Sequence, residues 1–152
     1  MYQSRYHATN GLISIAVDAC NGELLELTLE RTWDNLIKNH VPMAYSPFVL
    51  EMFIGDEQVT AHPPRYADIC ADPTLAPVIT VDQQEDSACV QVDYPAVVSD
   101  KGRHAVRVRV KIALPAGECR SVWHLEMENT QEHTEVQRAL FPCIEGVWLG
   151  DT

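Results

Sequence analysis

Val106-Arg107-Val108-Arg109-Val110-Lys111-Ile112-Ala113-Leu114 and Ser121-Val122-Trp123-His124-Leu125-Glu126-Met127-Glu128-Asn129, separated by Pro115-Ala116-Gly117-Glu118, decide the fold class. Both runs alternate with period two, the signature of strands with one buried face. Val106, Val108, Val110, Ile112 and Leu114 share one face, and Arg107, Arg109 and Lys111 the other. Folding the second run back on the first leaves one register that satisfies both faces. Val108 then meets Met127, Val110 meets Leu125, and Ile112 meets Trp123. Outside, Arg107 meets Glu128, Arg109 meets Glu126, and Lys111 meets His124. A slip of one residue would turn Trp123 out to solvent, so the apolar face pins the register. Trp123 is expected in the core.

Outward from this hairpin the same pattern recurs. Ile13, Ile15 and Val17 alternate, as do Leu25, Leu27 and Leu29, around the turn Asp18-Ala19-Cys20-Asn21-Gly22. Pairing Val17 with Leu25, Ile15 with Leu27 and Ile13 with Leu29 puts all six on one face. Phe48 to Ile54 is an apolar strand closed by Gly55-Asp56-Glu57, with Gln58 to His62 as its return. His62-Pro63-Pro64-Arg65 breaks the pattern, and Asp68 to Pro77 reads as loop. Val78 to Asp82 and Cys89 to Tyr94 make another pair, and Ser99-Asp100-Lys101-Gly102 is a turn. Glu132 to Leu140 is read as strand because of Thr134, Val136 and the Phe141-Pro142 step. About nine strands and no long helix predict an all-β, two-sheet antiparallel β-sandwich spanning residues 1–152 as one domain.

Composition narrows the function classes. Hydrophobic residues are 46% of the 152, so the chain is not of disordered type. Its net charge of −11 repels a phosphate backbone or an anionic membrane surface, so neither nucleic acid nor membrane is an expected partner. Five widely spaced cysteines with no CxxC pair read as reduced, mostly buried thiols of a cytoplasmic protein. The first residues lack the apolar core of a leader, and no segment has the ~20 apolar residues of a membrane helix.

The chemistry-bearing residues are sparse. Glu126 and Glu128 share a strand face, as a glycosidase acid and nucleophile would, but the register already pairs them with Arg109 and Arg107. Arg103, Arg107, Arg109 and Lys111 form a basic stripe that could take an anionic sugar, and the same carboxylates neutralise it. Six histidines show no HxH or HExxH spacing, and GxSxG and glycine-rich phosphate loops are missing, so no catalytic residue, cofactor or metal is expected. Trp33, with Asp34, Asn35 and Asn39, is the best carbohydrate-stacking cluster, a tryptophan face suiting sugar C–H bonds and amides suiting hydroxyls. Its ordinary reading is a capped loop with Trp33 under a sheet edge. Trp148 and Phe141 are expected to face a following domain.

Three stretches resemble the N-terminal β-sandwich of multidomain glycoside hydrolases, a galactose-mutarotase-like super-sandwich. Asn10-Gly11-Leu12-Ile13-Ser14-Ile15 with Asn21-Gly22-Glu23-Leu24 resembles its opening. Ser121 to Thr130 resembles its penultimate strand. Glu135-Val136 and Phe141-Pro142-Cys143-Ile144-Glu145-Gly146-Val147 resemble its last strand and exit toward a (β/α)8 barrel. The resemblance covers both ends and little of 41–96. It implies a non-catalytic unit that precedes, supports and packs on a downstream catalytic domain of the same chain, an N-terminal fragment of a longer enzyme that also contributes to carbohydrate binding. Two alternatives are a stand-alone carbohydrate-binding module and a mutarotase-like epimerase, the latter requiring a histidine and a glutamate facing one another on a concave face.

Overall fold

The computed structural model describes residues 4–31, 34–35 and 47–144, and of 34–35 the backbone alone. It is an antiparallel β-sandwich. The strands are β1 (Arg5–Thr9), β2 (Ile13–Asp18), β3 (Leu24–Leu29), β4 (Asp34–Asn35), β5 (Val49–Ile54), β6 (Glu57–Ala61), β7 (Val78–Gln83), β8 (Ala88–Tyr94), β9 (Val97–Ser99), β10 (Gly102–His104), β11 (Val106–Leu114), β12 (Val122–Asn129) and β13 (Thr134–Leu140). Thirteen strands therefore stand among the described residues, where the sequence predicts about nine. The difference lies in pieces too short to show a period, such as β4, β9 and β10.

Hydrogen bonding orders the strands β1-β2-β3-β4, β12-β11-β8-β7, β13-β5-β6 and β10-β9. A His62–Val98 bridge continues the β13-β5-β6 ladder into β9-β10. The Gln83 side chain makes another join. Its Oε1 accepts from the Thr9 N–H at 2.9 Å, and its Nε2 donates to the Thr9 carbonyl at 2.7 Å. A primary amide presents the same donor and acceptor as a peptide group, so Gln83 ties β1 to the end of β7 as a further rung would.

The β11–β12 register is the predicted one at all six pairs. The first hairpin agrees at Ile13–Leu29 and Ile15–Leu27, but Val17 faces Leu24 rather than Leu25, across a bulge after Ala16. The extra residue buries both Leu24 and Leu25. Asp18 anchors the turn, its Oδ1 accepting from the N–H groups of Cys20 and Asn21. The segment read as loop holds a one-and-a-half-turn helix, α1 (Tyr66–Ala71), and a 3-10 turn at Pro73–Leu75. Asp68 accepts from the Arg65 N–H at 2.8 Å, and Asp72 accepts from the Thr74 N–H and hydroxyl. These local caps hold a helix too short for apolar periodicity to reveal.

One core gathers Ile13, Ile15, Val17 and Leu24, Phe48, Leu50 and Met52, Val90, Val92 and Tyr94, and the inward residues of β11. Phe48 meets Tyr94 edge-to-face at 5.5 Å. Asn10 is buried but fully used. Its Nδ2 donates to the carbonyls of Pro115 and Glu118, and its Oδ1 accepts from the N–H groups of Leu12 and Ile13. It thereby fastens the first turn to the β11–β12 turn. A smaller cluster of Ile69, Leu75, Ala96 and Val98 lies under α1, with Cys20 packed against it.

Candidate functional site

Three surfaces carry the functional question. The first is an apolar seam between β12 and β13, the edge strands of their ladders. Trp123, Leu125, Val136, Phe141 and Ile144 pack on the core but remain partly open, and Met127 and Leu140 are exposed, at 44% and 42%. Trp123 is thus half-buried rather than in the core, because among the described residues no strand pairs with the outer edge of β12. Its ring meets that of Phe141 at 6.0 Å, and its indole N–H donates to Ser121 Oγ at 2.9 Å. Beyond β13, Phe141 thus joins the seam and Ile144 packs on the same core.

The second is the outer face of β8, β11 and β12, which forms a concavity of about 620 Å³ lined by Asp93, Arg107, Arg109, Glu126 and Glu128, with Tyr94 and Met127 among the apolar residues. Arg109 Nε donates to Asp93 at 2.6 Å, and the same guanidinium lies 3.6 Å from Glu126, so both carboxylates raise its pKa, Asp93 more strongly. Lys111 lies 3.9 Å from Glu126. Cross-strand pairing thus holds only in part: Arg109 and Lys111 both reach Glu126, Arg109 bonds more closely to Asp93 of β8, and among the described residues Arg107 and Glu128 form no ion pair. Arg103, at the other end, bonds Asp72 and Thr74.

The third is the outer face of the first ladder. Thr9 faces Ser14, Ser14 faces Thr28, and Thr28 faces Asn35, a row of hydroxyl and amide residues across four strands. His7, Thr9, Ser14, Glu26, Thr28, Glu30 and Gln83 line a concavity there of about 750 Å³. Glu26 is ion-paired with Arg5, and Glu30 accepts from the Thr9 hydroxyl at 3.1 Å. Of the residues singled out for carbohydrate, Asn35 takes the register position opposite Thr28. Trp33 and Asn39 lie outside the described residues, as does Trp148. The groove itself was not legible in the sequence, because a row of single residues on four strands has no linear motif.

Two buried histidines sit apart from these surfaces. Burial lowers the pKa of both. His62 Nδ1 lies 2.8 Å from the Pro63 carbonyl and Nε2 lies 3.2 Å from Arg65, so the neutral Nδ1–H tautomer satisfies both contacts. His104 Nε2 lies 2.7 Å from Ser99 Oγ across the β9–β10 hairpin, and the Lys101 N–H also donates to that oxygen. Serine and base are in reach, but neither lines either concavity. Among the described residues no three His, Cys, Asp or Glu side chains group as a metal site. The five cysteines are free thiols, and the expectation that most are buried fails: Cys70 and Cys119 are exposed and Cys20, Cys89 and Cys143 half-buried. No helix among the described residues is long and apolar enough to cross a membrane. Compared with known proteins, the chain matches no family profile, no curated protein and no solved structure.

Proposed function

We propose that this β-sandwich is a non-catalytic module of a carbohydrate-active enzyme, a glycoside hydrolase in the first instance, that packs on and supports a catalytic barrel in the same polypeptide. The seam between β12 and β13 carries this reading. Two aromatic rings and several aliphatic side chains stand half-covered along two edge strands of separate ladders, where a self-sufficient sandwich would place charge. Covering them would return about 25 cal/mol per Å² of apolar surface, the scale on which domains in one chain hold together.

The test is made on the gene product in its source cells. A photo-crosslinking residue replaces Met127, and the domain is detected by immunoblot. We expect a band several-fold above 17 kDa and a crosslink to a part of the same polypeptide outside residues 1–152. A 17 kDa product with position 127 uncrosslinked would overturn the proposal.

The Thr9–Ser14–Thr28–Asn35 row supports a second reading, a carbohydrate-binding face. Hydroxyl groups spaced by the ~4.8 Å between strands suit the hydroxyls of an extended glycan. Titration with neutral oligosaccharides should give saturable binding that Ser14→Val with Thr28→Val abolishes, and flat titrations across the panel would discard it. His7, Glu26 and Glu30 do share this concave face, as an epimerase requires. With Glu26 held by Arg5 and Glu30 by Thr9, that reading ranks below binding.

A further inference from the structure

Outward residues of β7, β8, β11 and β12 fall into rows across the sheet, and two of these rows line the concavity of about 620 Å³. In the first row Val78 faces Asp93, Asp93 faces Arg109, and Arg109 faces Glu126. Its charges are satisfied locally: Arg109 lies between two carboxylates, and Lys111 also reaches Glu126. The second row lies two residues further along each strand. Val108 faces Tyr94, which brings Pro95 beside Arg107, and Arg107 faces Glu128. Here the cation has a carboxylate on one side and an apolar ring on the other. Arg107 and Glu128 are both exposed, and among the described residues neither enters an ion pair. Ala76 and the exposed Val78 add apolar surface to the same hollow. Directly opposed residues have Cβ atoms ~5 Å apart. A free guanidinium and a free carboxylate therefore stand side by side, next to apolar surface, in a hollow of ligand size.

We propose that this hollow binds a free α-amino acid with an apolar side chain. One carbon of such a ligand carries a carboxylate, an ammonium and an apolar group, the three chemistries that the second row sets together. The Arg107 guanidinium donates two parallel N–H···O bonds to the carboxylate, its planar fork matching the two oxygens. Glu128 accepts from the ammonium. The side chain lies against Pro95, Ala76 and Val78, and removing their apolar surface from water adds to the binding. A simple anion, an acidic sugar included, would gain Arg107 but meet Glu128 and Glu126. A simple cation would gain Glu128 but meet Arg107. A zwitterion engages both, and its net neutrality spares it the repulsive field that a chain of net charge −11 presents to anions. The site is complete on this sandwich, so the proposal goes beyond the module reading and stands whether or not a barrel follows.

The gene product is titrated by calorimetry with L-leucine and with L-phenylalanine. N-acetyl-L-leucine, which lacks the ammonium, and L-leucinamide, which lacks the carboxylate, are titrated beside them. At least one of the two amino acids should bind saturably at one site, with the leucine derivatives at least tenfold weaker than L-leucine or silent. Arg107→Gln and Glu128→Gln should each weaken amino-acid binding at least tenfold. Both side chains are exposed, so neither substitution should move the urea midpoint, and that measurement separates lost binding from lost folding. Glu132→Gln removes an exposed carboxylate outside the hollow and should bind as the parent does. Flat titrations with both amino acids would overturn the proposal. So would derivatives that bind as tightly as L-leucine, or binding that survives Arg107→Gln and Glu128→Gln.

Discussion

Gly22 shows how much one residue of the β2–β3 turn carries. Its φ is +73°, and a Cβ placed there would stand 2.6 Å from Val92 Cγ1 and 2.8 Å from Tyr94 Oη. Neither neighbour can retreat, since both are fully buried and the Tyr94 hydroxyl donates to the Asn21 carbonyl. Strain from the left-handed backbone adds to overpacking, so Gly22→Ala should cost about 2–5 kcal/mol, read as a lowered urea midpoint. The sequence marks Gly22 as a turn glycine and nothing more, because its contacts with β8 span seventy residues. Asn10 teaches the same lesson. It reads as a polar turn residue, yet its amide closes the first turn on the β11–β12 turn, and only tertiary contact reveals that.

At the scale of elements, the long hairpins were legible and the short pieces were not. Arg107 to Lys111 and His124 to Glu128 declare their register because charge and hydrophobicity alternate in phase on both strands. The Val17–Leu24 pairing defeats that reading, since Leu24 and Leu25 are both apolar and nothing linear marks the bulge. α1 escapes it because a six-residue helix has no period and rests on caps. The Gln83 clasp escapes it as well, being a side chain acting as backbone. Gln83→Ala should lower stability by about 1–2 kcal/mol and speed hydrogen exchange at the Thr9 amide, leaving β11 amides protected. Unchanged exchange at Thr9 would show that β1 is held by other contacts.

Over the whole molecule, the buried histidines make stability depend on pH. Desolvation leads the shift at both, and lowers each below 6.5. At His62 the bond to Pro63 and Asp68 oppose that, and Arg65 adds to it; at His104 Asp100 opposes it. Above pH 6.5 both are neutral whether the chain is folded or not, so they add no pH dependence there. As pH falls below 6.5 the unfolded chain takes up protons that the folded chain refuses, and stability drops until the folded values are reached. The urea midpoint should therefore fall between pH 7.5 and 5.5, and a His62→Gln, His104→Gln double variant should flatten that fall.

The chain by itself determined that the protein is an antiparallel sandwich and how its long strands pair, because period-two alternation and cross-strand charge are properties of neighbouring residues. Only the tertiary structure decided which apolar residues stay half-open along β12 and β13 and which polar residues line up across four strands. Each of those depends on where separate strands end and what covers them, and no local pattern records that.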